Sequence, residues 1–198
     1  MTKDFWNERY HAKDFAYGKE PNVLLKGILE KMPVGKILFP AEGEGRNAVY
    51  AAMRGWDVYA FDISEEGKQK AERLAAEKKV TIHYELNSFE EYTSPENFFD
   101  CITLVFSHLP VESRQANFRK LLSYLKPGGK LIVIGFSKSQ LGKSSGGPKD
   151  LDMLFSEEQL SGDFEGMKNI SFRPIEMELN EGPFHSGPAS LLQFTAIK

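Results

Sequence analysis

The sequence of 198 residues holds a single cysteine, Cys101, and only two tryptophans. One thiol excludes a disulfide framework or a cysteine zinc cluster within the chain. Its place in the apolar run FFDCITLVF marks it as a buried residue rather than a nucleophile. Neither sign of charge dominates: 25 Lys+Arg stand against 28 Asp+Glu, a net charge of −3. No basic run is interleaved with aromatics, so no nucleic-acid partner is expected. No apolar run nears the roughly 18 residues of a membrane span, and no membrane partner is expected either. The opening MTKDFWNERYHAKD is polar and charged, without the apolar core of a secretory signal, which makes a cytoplasmic location the expectation. Repeats, low-complexity tracts and metal-spaced His/Cys clusters are also lacking, so no metal is expected. The length suits one domain over 1–198, with an aromatic N-terminal segment and helix at 1–33, a central part at 34–136, and a loop, short helix and terminal hairpin at 137–198.

What is present centres on KILFPAEGEGRNAVYAAMRGWDVYAFD, Lys36 to Asp62. It reads as a strand from Ile37 that breaks at Pro40, a glycine turn Ala41–Gly45, a helix from Arg46 to Arg54 closed by Gly55, and a second strand from Asp57 ending in Asp62. A glycine turn between strand and helix lets a backbone approach a ligand closely, and an acidic residue about 20 positions on is placed to bond ribose hydroxyls. Gly43-x-Gly45-x-x-Ala48 satisfies the dinucleotide pattern G-x-G-x-x-G/A, so a nicotinamide reading is open. The turn also carries Glu42 and Glu44, only partly offset by Arg46. Carboxylates there repel a pyrophosphate and attract S-adenosylmethionine, which has an adenosine, an ammonium and a sulfonium but no phosphate.

AEGEGRNAVYAAMRGWDVYAFDIS, together with WNERY and YGKEPN upstream and LKPGGKLIV downstream, resembles class I S-adenosylmethionine-dependent methyltransferases. WNERY…YGKEPN and EGPFHSGPA resemble, more narrowly, the tellurite-resistance (TehB-like) branch related to thiopurine methyltransferases. The resemblance implies a Rossmann-like α/β sandwich with a mostly parallel seven-stranded sheet and an antiparallel C-terminal hairpin. It implies S-adenosylmethionine as cofactor, held by Tyr17, Glu42, Gly43, Gly45, Asp62, Ile63, Asn87, Ser88 and Phe106. Many members carry an acidic residue two positions before Ala41, where this chain has Phe39, and Glu42 is expected to take its role towards the cofactor ammonium.

Along the rest of the chain, Trp6, Tyr10, Phe15 and Tyr17 precede a helix at Asn22–Lys31; the rings serve either as anchors to the core or as a lid over the cofactor. Ser64 caps a helix reaching about Lys79, and Val80–Glu85 alternates as a third strand. Phe98–Phe106 is a buried strand leading to His108, which can face the transferred methyl or merely cap the next helix, Val111–Leu125. Lys126–Gly129 is a turn, Lys130–Phe136 a fifth strand, and Ser137–Asp150 a polar, glycine-rich loop expected to be mobile. Ser156 caps a short helix. Ile170–Leu179 and Ser190–Ile197 read as antiparallel strands whose loop carries Glu181 and His185. Methyl transfer from a sulfonium needs positioning more than acid–base groups. The lack of an acid–base constellation suits a small-molecule acceptor with a soft nucleophile, a thiol or a selenium or tellurium oxyanion, with Arg46, His108 and His185 as its candidate contacts. A nicotinamide-dependent oxidoreductase and a non-catalytic S-adenosylmethionine-binding regulator are the alternatives. Oligomeric state is not legible.

Overall fold

The structure is a computed structural model and describes residues 2–198. Its strands form one seven-stranded sheet in the order β3-β2-β1-β4-β5-β7-β6, with β1, β2 and β3 paired in parallel, β4 and β5 likewise, and β7 antiparallel to both β5 and β6. This is the Rossmann-like methyltransferase arrangement with its antiparallel C-terminal hairpin. Backbone contacts gather into two compact units, one reaching Thr93 and including Glu181–Phe184, the other comprising Ser94–Asn180 and His185–Lys198.

The first unit contains α1 (Lys3–Tyr10), α2 (Val23–Leu29), β1 (Lys36–Pro40), α3 (Arg46–Met53), β2 (Asp57–Asp62), α4 (Glu65–Lys78) and β3 (His83–Leu86). The aromatic N-terminal stretch contains a helix that hydrophobic periodicity does not announce. Thr2 caps it by accepting from the Phe5 N–H, and only Tyr10 is buried. Asn22 caps α2 with its side-chain oxygen, and Ser64 caps α4, a contribution of about 1 kcal/mol each. The third strand begins three residues later than its alternation suggests. After Lys79 ends α4 in the left-handed region, Val80 and Ile82 pack against Val49, Leu74 and Ala75 instead of entering the sheet.

The second unit contains β4 (Phe99–Val105), α5 (Val111–Tyr124), β5 (Leu125–Phe136), α6 (Glu157–Asp163), β6 (Lys168–Asn180) and β7 (Ser186–Ile197). Phe99, Cys101, Ile102 and Leu104 are fully buried, as an apolar run within a sheet covered on both faces should be. Burial pushes the Cys101 thiol well above its ordinary value, so it is no nucleophile. Two boundaries differ from expectation. Lys126–Gly129 lies inside β5 because its backbone pairs with the chain's end, Gly128 N–H donating to Lys198 O and Lys198 N–H to Gly129 O. The hairpin strands also run past Gly187 and Pro188, leaving only Glu181–His185 as the connection. The polar loop after β5 is tied down rather than loose. Gln140 Nε2 donates to Ser145 Oγ at 2.9 Å, Ser145 Oγ donates to Pro188 O at 2.7 Å, and Ser190 N–H donates to Gln140 Oε1 at 2.8 Å. Among the described residues no helix is long and apolar enough to cross a membrane.

Candidate active site

The glycine turn between β1 and α3 is built by unusual backbone. Ala41, Gly43 and Gly45 have φ of 52°, 64° and 83°, three left-handed residues in five positions. A Cβ on Gly43 would stand 2.6 Å from the Tyr10 hydroxyl, and one on Gly45 would stand 2.5 Å from Ala71 Cβ. The first glycine therefore admits an aromatic ring over the turn, and the second lets α4 pack against it. Tyr84, which sequence reasoning passed over, donates from its hydroxyl to Gly43 O at 2.6 Å and fixes the turn from β3.

Asp62 ends β2 beside this turn and is buried. Its Oδ2 accepts from Gly43 N–H at 3.0 Å and its Oδ1 from Ser64 N–H at 2.9 Å, so each oxygen keeps lone-pair capacity for a ligand. Burial raises its pKa to about 6, against the lowering effect of the backbone N–H groups of Ser64, Gly43 and Ile63. Ile63 follows it at intermediate exposure. Glu42 Oε1 accepts from Asn47 N–H at 2.9 Å and Ala48 N–H at 2.8 Å, capping α3. Desolvation lifts Glu42 to about 7, so a neighbouring cation would draw off its proton near neutrality. Asn87 N–H donates to Asp62 O at 3.0 Å and its Nδ2 donates to Glu85 Oε2, while Ser88 and Glu91 cap each other in the following turn.

The charges expected to face a ligand are partly spent inside the fold. Glu44 forms a buried ion pair with Lys70 at 2.8 Å and accepts from Ala16 and Tyr17 N–H, so it anchors the N-terminal strap and contributes no net charge to the turn's open side. Arg46, a candidate acceptor contact, is paired with Glu181 of the hairpin tip at 2.9 Å. Asn22 Nδ2 donates to the other oxygen of Glu181. Glu181 of the tip therefore lies beside the glycine turn, and its carboxylate occupies the arginine. Tyr17 is half-buried, with its ring near Tyr10 and Phe184 and its hydroxyl accepting from Arg9 at 3.1 Å.

In the second unit, Phe106 follows β4 with φ of 54°, a strained setting for a bulky residue and one that recurs at functional sites. His185 is 7 % exposed rather than an open loop residue, its ring 4.4 Å from Phe106 and 5.2 Å from Phe136. His108 is engaged through both nitrogens, Nδ1–H donating to Met153 O at 2.8 Å and Nε2 accepting from Phe136 N–H at 3.0 Å. Desolvation lowers its pKa to about 4, so the ring stays neutral and holds no free nitrogen for an acceptor. His108 does not cap α5 either, whose start has no side-chain cap; it ties the end of β5 to the segment around Met153.

Residues 37–129 match the model of a methyltransferase domain. That stretch, which holds the glycine turn and Asp62, is similar to methyltransferase domains. Over 57 residues it is 42% identical to the ubiquinone/menaquinone biosynthesis C-methyltransferase UbiE of Vibrio cholerae, covering 29% of this chain and 22% of that protein. The Yersinia pestis UbiE is 33% identical over 87 residues, covering 43% and 35%. The chain thus aligns with about a third or less of the curated relatives it matches. Two solved structures cover it end to end at low identity. One, from work on conversion of a disulfide bond into a thioacetal group during echinomycin biosynthesis, superposes with a TM-score of 0.79 at 14% identity, covering 100% of this chain and 92% of that one. The other is TehB from Haemophilus influenzae, with a TM-score of 0.73 at 16% identity, covering 99% and 66%. At such identities the likeness is one of fold.

Of the expected site residues, Tyr17, Glu42, Gly43, Gly45, Asp62, Ile63, Asn87 and Ser88 lie in the first unit, and Phe106, His108 and His185 in the second. Beyond the expected residues, Tyr10 and Tyr84 clasp Gly43 and Lys70 neutralises Glu44. A lysine inside α4 whose neighbours Ala71 and Leu74 are apolar was the available hint that its charge is turned inward.

Proposed function

We propose that the protein transfers the methyl group of S-adenosylmethionine to a small-molecule acceptor through a soft nucleophile, a thiol or a reduced selenium or tellurium oxyanion. The observation that carries the cofactor is Glu42 on the first N–H groups of α3. A dinucleotide would need that helix start for its pyrophosphate, and here a carboxylate already occupies it. A cationic cofactor gains from the same carboxylate, while Asp62 retains capacity for ribose hydroxyls. The nicotinamide alternative loses its anion site.

In this reading the acceptor's lone pair forms the new bond to the methyl carbon, the sulfonium carbon–sulfur bond breaks, and its electron pair stays on sulfur as S-adenosylhomocysteine. The cofactor supplies the leaving group. The protein holds the adenosyl end through Asp62 and Asn87, orients the amino-acid end at Glu42, and excludes water with the rings of Tyr10 and Tyr17. The tellurite-resistance branch is supported by WNERY…YGKEPN and EGPFHSGPA. These two segments pack together, since a Cβ on Gly182 would stand 2.7 Å from Ala16 O and 2.8 Å from Gly18 N. A single cytoplasmic domain acting on a small molecule, without nucleic acid or membrane, completes the proposal.

Transfer of labelled methyl from S-adenosylmethionine to a panel of thiols, selenite, tellurite, amines and catechols tests it. Product on the sulfur, selenium or tellurium acceptors is expected. Product only on amines or catechols would overturn the soft-nucleophile assignment, and no product on any acceptor would favour the non-catalytic regulator.

A further inference from the structure

Several cations of the first unit are partly or wholly withdrawn from solvent. Lys36 pairs with Asp57, Arg46 with Glu181, Lys68 with Glu72 and Lys70 with Glu44. Arg9 is also half-buried, yet among the described residues no carboxylate stands within ion-pairing distance of it. Its partners are neutral. The guanidinium carbon lies 3.8 Å from the centre of the Phe184 ring and 5.2 Å from that of Phe5, and Nη1 donates to the Tyr17 hydroxyl. A guanidinium has five N–H donors in a planar fork that matches a carboxylate or oxyanion edge-on, and stacking occupies only its face.

The position is as informative as the missing counter-charge. Tyr10, the next residue, lies over Gly43, and the Tyr17 N–H donates to Glu44 of the same turn. Arg9 therefore sits at the rim of the proposed cofactor turn, held between the strap and the hairpin tip. Of the three groups expected to contact an acceptor, Arg46 is paired with Glu181 and His108 is held by two backbone groups. A guanidinium stacked by one face between rings keeps edge N–H groups turned to the open side, where an anionic group can meet them.

We propose that Arg9, braced by Tyr17 and Phe184, receives an anionic group carried by the methyl acceptor, so that the enzyme selects acidic acceptors over neutral ones of the same size. This rests on the methyl-transfer reading and names the acceptor's chemical class. Tyr17 is then a positioning residue for the guanidinium as well as part of the cover over the cofactor.

The test compares mercaptoacetate with 2-mercaptoethanol, two thiols that differ in the carboxylate, on the whole protein and on Arg9→Met, which keeps an apolar stem against Phe184. The wild type should prefer mercaptoacetate in kcat/KM. Arg9→Met should lose roughly tenfold to a hundredfold on that acceptor alone through a raised KM, the range for a charge-assisted hydrogen bond. Arg9→Lys should retain part of the preference, and the Kd for S-adenosylmethionine should stay unchanged in both variants. Equal losses on both thiols, or a parallel loss of cofactor affinity, would show that Arg9 only fastens the strap and would overturn the proposal. If neither thiol is turned over, or the variants do not fold, titration of the two thiols into the wild-type S-adenosylhomocysteine complex decides. Preferential binding of mercaptoacetate supports the anion site, and its absence overturns it. A protein that binds no S-adenosylhomocysteine overturns the methyl-transfer reading as well, whereas one that binds it without preferring the acid overturns this inference alone.

Discussion

Asp62→Ala is expected to weaken S-adenosylmethionine binding by roughly tenfold to a hundredfold, the equivalent of losing charge-assisted hydrogen bonds worth about 1.5–3 kcal/mol. The carboxylate has two tasks, and the variant separates them poorly by itself. It organises the turn by accepting from Gly43 and Ser64 N–H, and it retains capacity for the ribose hydroxyls. Asp62→Asn provides the control. Its amide oxygen can still accept one of the two backbone bonds, but its amino group cannot accept the other, and the charge is gone. Titration calorimetry on both variants, with thermal melts alongside, should show affinity falling more steeply than stability. An unchanged Kd in Asp62→Ala would remove the ribose assignment.

Lys70→Met should destabilise the fold by about 3–5 kcal/mol, the usual cost of leaving one member of a buried ion pair without its partner. The side chains of Lys70 and Glu44 are 1% and 2% exposed, so solvent cannot take over the abandoned charge. The double variant Glu44→Gln/Lys70→Met should recover most of the loss. Its amide oxygen can still accept from the strap, and no charge remains buried. Urea denaturation of the two variants measures the difference. A single variant as stable as the wild type would mean that the Lys70–Glu44 pair does not fasten the turn. The strap would then lack the fixed anchor that places Tyr10 and Tyr17 over the turn.

The sequence made the fold legible where the periodicities are strong and the turn chemistry is specific. Lys36 to Asp62 reads directly as strand, glycine turn, helix and strand, because glycines and an acidic strand end have few alternative uses in that order. The terminal hairpin is legible for another reason: two strands joined by so short a link can only be antiparallel. Its ends were misjudged because Gly187 and Pro188 look like breakers. β7 pairs with β5 only from Leu191 onward, so the missing N–H of Pro188 interrupts no bond on that side. Helix α1 was hidden because just one of its residues, Tyr10, is buried, which leaves no apolar stripe to read.

The candidate site was less legible because side-chain charge in a sequence carries no partner. Glu44 and Arg46 look available beside the turn, and three-dimensional packing gives each a counter-ion, one of them 135 positions away in the hairpin tip. His108 has the expected place at the end of β4, but its two nitrogens are claimed by backbone groups from Met153 and Phe136. Such pairings depend on side-chain direction rather than on spacing. Arg9 escaped notice for the converse reason, since only the structure shows a cation left without an anion.

The central claim is that the capped helix start and the buried Asp62 accept a nucleoside cation and refuse a pyrophosphate. Titrating S-adenosylhomocysteine and NAD separately into the wild-type protein measures this directly. The product retains the adenosyl and amino-acid groups that Asp62, Asn87 and Glu42 would hold. Saturable, stoichiometric binding of S-adenosylhomocysteine with no measurable heat from NAD is the predicted result. Binding of NAD with comparable or higher affinity would contradict it.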